Sequence, residues 1–370
     1  MAWVDIPAMR RTTCWCACHH GVTHSLSNEN VFSQDNNVSI REVAHQAGVS
    51  MATVSRVFNR PDTVNAVTRA HVLQMAQTLA YLPNASARSL RTQRSRVIGV
   101  VLPTLLNPVF AECLDGIAKA ASAAGYAILP ITTNYRLESE EQAVQQLLAG
   151  NVDGMLLVVS NPATSTALAR LRTAHLPYVL AYNQHPDHPC VSVDSERAVH
   201  ELVARLAALG HRRITLISGQ LAASDRAQQR QRGFSAGMQA LGLDGTQWLE
   251  VPFVETAVQD IRALLQRSPR PTALVCSNDL LAIRSIRAAH LAGLRVPQDI
   301  SVTGFDGIAL GEDLTPMLST ITQPNAEIGR HGVQLLVAAM AAGAAVSPAS
   351  SVLLAHGFRA GESCAPVLQS

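Results

Sequence analysis

The sequence is short of aromatic side chains, of lysine and of long apolar runs. Aromatics make up 4% of 370 residues, so few rings are available to stack on a base or a sugar. Lys119 is the only lysine among 29 basic residues; the arginine preference runs through the whole chain and reads as compositional bias. No stretch approaches the roughly 18 uninterrupted apolar residues of a membrane helix. No basic segment followed by an apolar one opens the chain, so neither export nor insertion is expected, and a cytoplasmic protein is. The seven cysteines form no disulfide framework, because Cys113, Cys190, Cys276 and Cys364 are scattered, as suits reduced thiols. Cys14, Cys16 and Cys18 crowd into "CWCACHH", yet their spacing lacks the two-plus-two pattern of a zinc module. Residues 1–37 around them show neither a helical nor a strand period and are expected to be a disordered extension; no metal or cofactor is expected.

Catalytic patterns are also missing. No G-x-G-x-x-G follows an apolar strand, no P-loop occurs, and no Ser, His and Asp set presents a nucleophile elbow; "ALGHRR" reads as a helix-to-strand turn. An enzyme is therefore not expected.

What the chain does have is 48% apolar content, enough at this length for two or three domains at roughly 150 residues each. Its net charge of +2 is unevenly spread. Residues 38–96 hold eight arginines against Glu42 and Asp62, a local +6, whereas residues 97–370 sum to −3. A compact basic segment ahead of a mildly acidic body is the asymmetry of a nucleic-acid-binding head on a globular domain.

The basic segment has helical punctuation. Ile40, Val43, Ala44 and Ala47 recur at helical spacing from near Ser39, and Gly48 lets the backbone turn. Ser50 can cap a second helix that buries Val54 and Val57. A third follows with Val72, Met75, Ala76 and Leu79 inward, ending before Pro83. Helix, tight glycine turn, helix is the helix-turn-helix arrangement, which aims the N-terminal side chains of its second helix at base edges in the major groove. Ser50, Met51, Ala52, Thr53, Ser55 and Arg56 are the side chains placed there.

The runs "VSIREVAHQAGVSMATVSRVFN" and "YLPNASARSLRTQRSRVIGVVLP" resemble the lactose-repressor (LacI/GalR) family of bacterial transcription regulators, from about Val38 to near Phe358. The V-S-x-x-T-V-S-R and P-N-x-x-A-x-x-L patterns, some thirty residues apart, carry the resemblance. It implies that Met51 and Ala52 help choose the operator bases and that Arg56 reaches the major groove. Two apolar side chains at the selecting positions can read thymine methyls but cannot make bidentate hydrogen bonds. Residues 84–95, "NASARSLRTQRS", form a linker too short to be a stable helix alone, since isolated helices below about 12 to 15 residues are marginal. The resemblance implies that two such hinge helices of a homodimer enter the minor groove, with Asn84, Ala87 and Arg88 at the groove and Leu90 as the wedge.

From residue 96 the fold class is α/β. "RVIGVVLP", "YAILPITT", "GMLLVVS" and "PYVLAY" begin at 96, 126, 154 and 177, the βαβ rhythm of a covered parallel sheet. "RITLIS", "LEVPF", "ALVCSN" and "ISVTGFD" restart it from 213, so two similar lobes are expected with a cleft between them, as in a periplasmic-binding-protein-like domain. "LSTITQP" is expected to cross back, a helix over 325–343 to join the first lobe, and "SVLLAHGF" to end as a strand. Ligands of open α/β sheets sit outside the carboxyl ends of strands. Asn107, Ser160, Asn278 and Asp306 fall there, as does Asp279, and Arg230 lies near the start of a helix after "LISG". An Arg, Asp, Asn and Ser set suits a ligand with several hydroxyls or a carboxylate. The resemblance implies that Arg230, Asn278 and Asp306 grip effector and that Phe110, Ser160 and Phe253 lie at the pocket wall. Arg226 offers either a second positive group, which would favour an acidic or phosphorylated ligand, or a surface salt bridge.

Together these features predict a ligand-gated transcription factor, a homodimeric repressor of pseudo-palindromic operator DNA with a sugar or sugar acid as effector. A transporter's solute-binding protein would share the lobes but not the basic head. The tail "RAGESCAPVLQS" lacks the heptads of a tetramerising helix.

Overall fold

The computed structural model describes residues 38–82, 94–245, 247–252 and 257–367. They fall into two compact units, one within Met1–Asn84 and the other within Ala85–Ser370. The Cys14–Cys18 cluster, Phe253, and the hinge residues Asn84, Ala87, Arg88 and Leu90 lie outside the described residues.

In the first unit, α1 (Ile40–Gln46), α2 (Met51–Asn59) and α3 (Ala66–Thr78) enclose one small core. Val43, Val54 and Val72 are fully buried, with Ala44, Ala47, Val57 and Ala76 around them, and Ile40, Met75 and Leu79 pack on its margin. Ser39 starts α1 through a capping box: its hydroxyl accepts from the Glu42 amide at 3.3 Å, and its own amide donates to Glu42 Oε2 at 2.6 Å. Ser50 caps α2 by accepting from the Thr53 amide at 3.1 Å. Between them Gly48 has φ +62°, a left-handed conformation that only glycine adopts without strain. A core of this size tolerates little loss, because small domains bury a smaller share of their surface.

The second unit holds two six-stranded sheets. The first has strand order β11-β5-β4-β3-β1-β2, from β1 (Val97–Leu102), β2 (Ala127–Thr132), β3 (Gly154–Leu157), β4 (Tyr178–Ala181), β5 (Cys190–Val193) and β11 (Val352–Leu354), all parallel. The second runs β12-β10-β9-β8-β6-β7, from β6 (Ile214–Ser218), β7 (Trp248–Glu250), β8 (Ala273–Cys276), β9 (Ser301–Asp306), β10 (Ser319–Thr322) and β12 (Gly357–Arg359). Only β12 is antiparallel, to β10. The central strands are buried along their whole length, which is why they read as continuous apolar runs without alternation. Pro130 is admitted because β2 is an edge strand and owes no amide to a further neighbour.

The two lobes exchange chain more intimately than the sequence suggests. β5 follows the turn "NQHPDHP" and is too short to show a period. "LSTITQP" crosses only at its end: Ser319–Thr322 stay beside β9 as β10, and the chain passes to the first lobe at Gln323 and Pro324, ahead of the helix Asn325–Ala342. "SVLLAHGF" is not one strand, because Ala355 and His356 break it and deliver β11 and β12 to different sheets. Helix Asn325–Ala342 lies directly on helix Pro108–Ala123. A Cβ on Gly116 would overlap the Ala326 carbonyl, and one on Gly329 the Cys113 carbonyl, so the two backbones touch.

Candidate functional site

On the head, the residues expected to face DNA stand at the start of α2 and along its outer side. Ser50, Met51, Ala52 and Arg56 are exposed, and Thr53 and Ser55 are half-buried. Met51 leaves 47% of its surface in solvent, at the first position of α2. Arg56 donates from Nε to the Ala52 carbonyl at 3.3 Å, which aligns the guanidinium along the helix surface. Had Arg56 been turned into the core, a groove-reading role would have been untenable.

In the second unit, a narrow cleft of about 40 Å³ lies between the lobes at the carboxyl ends of the strands. Asn107, Phe110, Arg226, Arg230, Asn278 and Asp306 line it, as do Tyr135, Tyr182, Ser224 and Gln323, which the sequence did not mark. Arg230 is its electrostatic centre. Its Nη2 stands 3.4 Å from Asp306 Oδ1, Nη1 donates to the Ser277 carbonyl, and the guanidinium carbon lies 3.6 Å above the Phe305 ring centroid. Its Nε is buried with no partner among the described residues. Burial holds the Arg230 pKa below its usual value, with Asp306 opposing that shift.

Asp306 sits at φ +121°, a conformation non-glycine residues rarely take. Such strain persists only when neighbours over-determine it. Here Gln323 supplies that constraint, donating from Nε2 to Asp306 Oδ1 at 2.8 Å and from its amide to the Asp306 carbonyl at 3.2 Å. Burial pushes the carboxyl up to about 6, against the pull of Arg230. Behind it, Asp279 is fully buried and pushed up to about 7 by burial and by Asp306. Its carboxylate accepts from the Thr320 hydroxyl at 2.5 Å and the Ile308 amide at 2.9 Å, so Asp279 braces the loop that carries Asp306.

Two asparagines turn out to have structural duties as well. Asn278, not Asp279, caps helix Asp279–Leu291, accepting from the Leu281 amide at 2.8 Å. Asn107 caps helix Pro108–Ala123 by accepting from the Val109 amide at 3.3 Å. Both nevertheless present an edge to the cleft. Phe110 is both core and wall, 4% exposed and edge-on to Tyr182 with ring centroids 5.7 Å apart. Tyr135 follows Asn134 in a loop where both have positive φ, +51° and +59°, and the side chain is half-buried. Its hydroxyl feels Arg226, Asp306 and Arg230, and burial pushes it up to about 12.

Ser160 is not part of the cleft wall. Its hydroxyl donates to Glu140 Oε1 at 2.5 Å and its amide to the same atom at 2.8 Å. Its carbonyl accepts from the Asp225 amide of the other lobe at 2.7 Å. Asp225 Oδ1 also takes a 2.7 Å bond from Asn183 Nδ2, and Arg226 Nη1 donates to the Val159 carbonyl at 2.9 Å. These bonds pin the start of helix Asp225–Ala240 against the first lobe. Burial pushes both Glu140 and Asp225 upward.

Residues 39–84 match the family described as "Bacterial regulatory proteins, lacI family", and residues 203–364 match "Periplasmic binding protein-like domain". Catabolite control protein A of Priestia megaterium is 31% identical over 305 residues, 81% of this chain and 92% of that protein. The chain belongs to the LacI family. Another relative, the HTH-type transcriptional repressor PurR of Aliivibrio salmonicida, is 33% identical over 308 residues, 81% of this chain and 91% of that one. Among solved structures, a lac repressor dimer bound to operator and the anti-inducer ONPF has a TM-score of 0.80 at 27% identity, covering 89% of this chain and 99% of that chain. As a LacI-family member the chain is a DNA-binding transcriptional regulator and not an enzyme. No helix among the described residues is long and apolar enough to cross a membrane.

Proposed function

We propose that this regulator is a cytoplasmic homodimeric repressor whose grip on a pseudo-palindromic operator is switched by a sugar or sugar acid bound between the lobes. The observation that carries the reading is one chain with an exposed helix-turn-helix face and a polar cleft centred on the buried Arg230–Asp306 pair. Ser50, Met51, Ala52, Thr53, Ser55 and Arg56 read the major groove, and Asn84, Ala87, Arg88 and Leu90 work at the minor groove. Arg230 and Asp306 bracket a hydroxyl-bearing ligand, with Asn107, Asn278, Phe110 and Phe253 around it. Ser160 acts through the lobe contact, since its hydroxyl is already spent on Glu140.

Cellobiose in the CelR complex is one sugar found with a similar chain, which has a TM-score of 0.66 at 26% identity over 88% of this one. Effector occupancy changes how the first lobes of two subunits meet and so whether the two linkers over 84–95 can pair on DNA. A coupling of about 1 to 3 kcal/mol changes operator affinity roughly 5- to 150-fold, enough to switch a promoter. The test is anisotropy with DNA selected from random sequence by the full chain, titrated with sugars and sugar acids. Specific binding that resists moderate salt and shifts with one ligand is expected. Loss of all sequence preference once non-specific contacts are screened would sink the proposal.

A further inference from the structure

The effector reading leaves the chemical class of the ligand open, and the charges that line the cleft narrow it. Among the described lining residues there are two guanidinium groups, Arg226 and Arg230, and a single carboxylate, Asp306. Asp306 is committed to Arg230 and Gln323. Arg226 is 6% exposed, which excludes a surface ion pair. Its charge is met from behind the wall, by Asp225 at 3.0 Å, whose oxygens also serve Asn183 and Gln229, and through space by the buried Glu140. Only Nη1 of Arg226 is used, on Asp225 and the Val159 carbonyl; its Nε and Nη2 make no hydrogen bond among the described residues.

Geometry adds to this. Arg226 and Arg230 are four residues apart and so share one face of helix Asp225–Ala240, in its first two turns. The helix is capped by Ser224, which also lines the cleft, so its first turn borders the same space. The Nε of Arg230, itself a cleft-lining residue, is buried with no partner among the described residues.

We propose that the effector carries an acidic group, a carboxylate or a phosphate on a monosaccharide-sized polyol, and that Arg226 is the residue that reads it. This rests on the effector-gated reading above. The anionic group bridges Arg226 and the helix start, while the polyol hydroxyls meet Asp306, Asn107 and Asn278. A planar guanidinium fits either acid bidentately, so the residue alone does not choose between carboxylate and phosphate.

Matched probes make the test. Thermal shift and calorimetry on the full chain compare glucose and galactose with their aldonates, uronates and 6-phosphates, and with inorganic phosphate alone. At least one acidic member should bind tenfold or more tightly than its neutral parent, and the aldonate, uronate and phosphate arms say which acid is read. Arg226→Gln should erase most of that preference, read as the ratio of acidic to neutral affinity within the variant itself. Arg226→Lys, which keeps the charge, should restore part of it and guards against a folding defect. A neutral sugar binding best, an acid preference that survives Arg226→Gln, or no stabilisation by any acidic probe overturns the proposal. Operator binding measured on the same protein reports separately on the regulatory reading, which survives any of those results.

Discussion

Replacing Arg230 with alanine should separate the two activities of the chain. The side chain pairs with Asp306, bonds the Ser277 carbonyl and covers the Phe305 ring, and each contact is buried. Hydrogen bonds to charged groups contribute about 1.5 to 3 kcal/mol each, so losing the guanidinium from a bound ligand should weaken effector at least ~100-fold. Stability should suffer less than charge counting implies. Stranding a buried carboxylate costs about 3 to 5 kcal/mol. Asp306, already pushed up to about 6 and held even that low by Arg230, takes up a proton in the variant instead. The loss at pH 7 should therefore be about 2 to 3 kcal/mol. It should shrink at pH 5.5, where Asp306 is largely neutral in both proteins and there is little attraction left to lose. Urea unfolding at the two pH values and operator anisotropy with and without effector read all of this. Operator affinity without effector should stay within about threefold of the parent. If a folded Arg230→Ala protein no longer binds operator, or still responds to effector, the division of labour argued here is wrong.

Other expectations follow from the same contacts. Arg56→Ala should reduce affinity for the selected operator by about 1 to 3 kcal/mol if Arg56 contacts a base, and an unchanged operator titration would remove it from the reading face. Asp279 is pushed up to about 7 when folded, above its unfolded value of 3.8, so the folded state holds the extra proton and stability falls as pH rises from about 4 to 7. Asp279→Asn should flatten that slope, and melting midpoints of variant and parent that stay parallel from pH 5 to 8 would contradict the assignment. Gly116→Ala drives a methyl into the Ala326 carbonyl and should cost about 1 to 3 kcal/mol by urea unfolding, more than a helical glycine-to-alanine change, which otherwise stabilises.

Much of this was legible because it is local. Gly48, Ser50 and the inward valines of the head announce themselves by spacing, and the buried strands by runs such as "GMLLVV". Ser39 and Glu42 form a capping box that spacing alone could have revealed. Asn107, Asn278 and Asp306, which line the cleft, follow one rule, that ligands gather at the ends of strands, whereas Arg230 was singled out by its place near a helix start and by the family resemblance. Ser160 obeys the same rule and fails, because Glu140, twenty residues earlier, claims its hydroxyl. Tyr135 and Gln323 were invisible for the complementary reason. Tyr135 enters the cleft only through two successive left-handed residues, and Gln323 only because the chain crosses between lobes there. The Asn183–Asp225 contact joins residues 42 apart in different lobes, and no periodicity records it.

The passage through Ala355 and His356 has a mechanical consequence. Leu354 ends a strand of one sheet and Gly357 begins a strand of the other, and three Cα steps can reach no more than about 11 Å when taut. His356 is further tethered, with Nε2 3.1 Å from Glu201 Oε2. So short a strap lets the halves swing but forbids them to drift apart. With the crossing at Gln323 and Pro324, it fixes two points at which the lobes cannot separate.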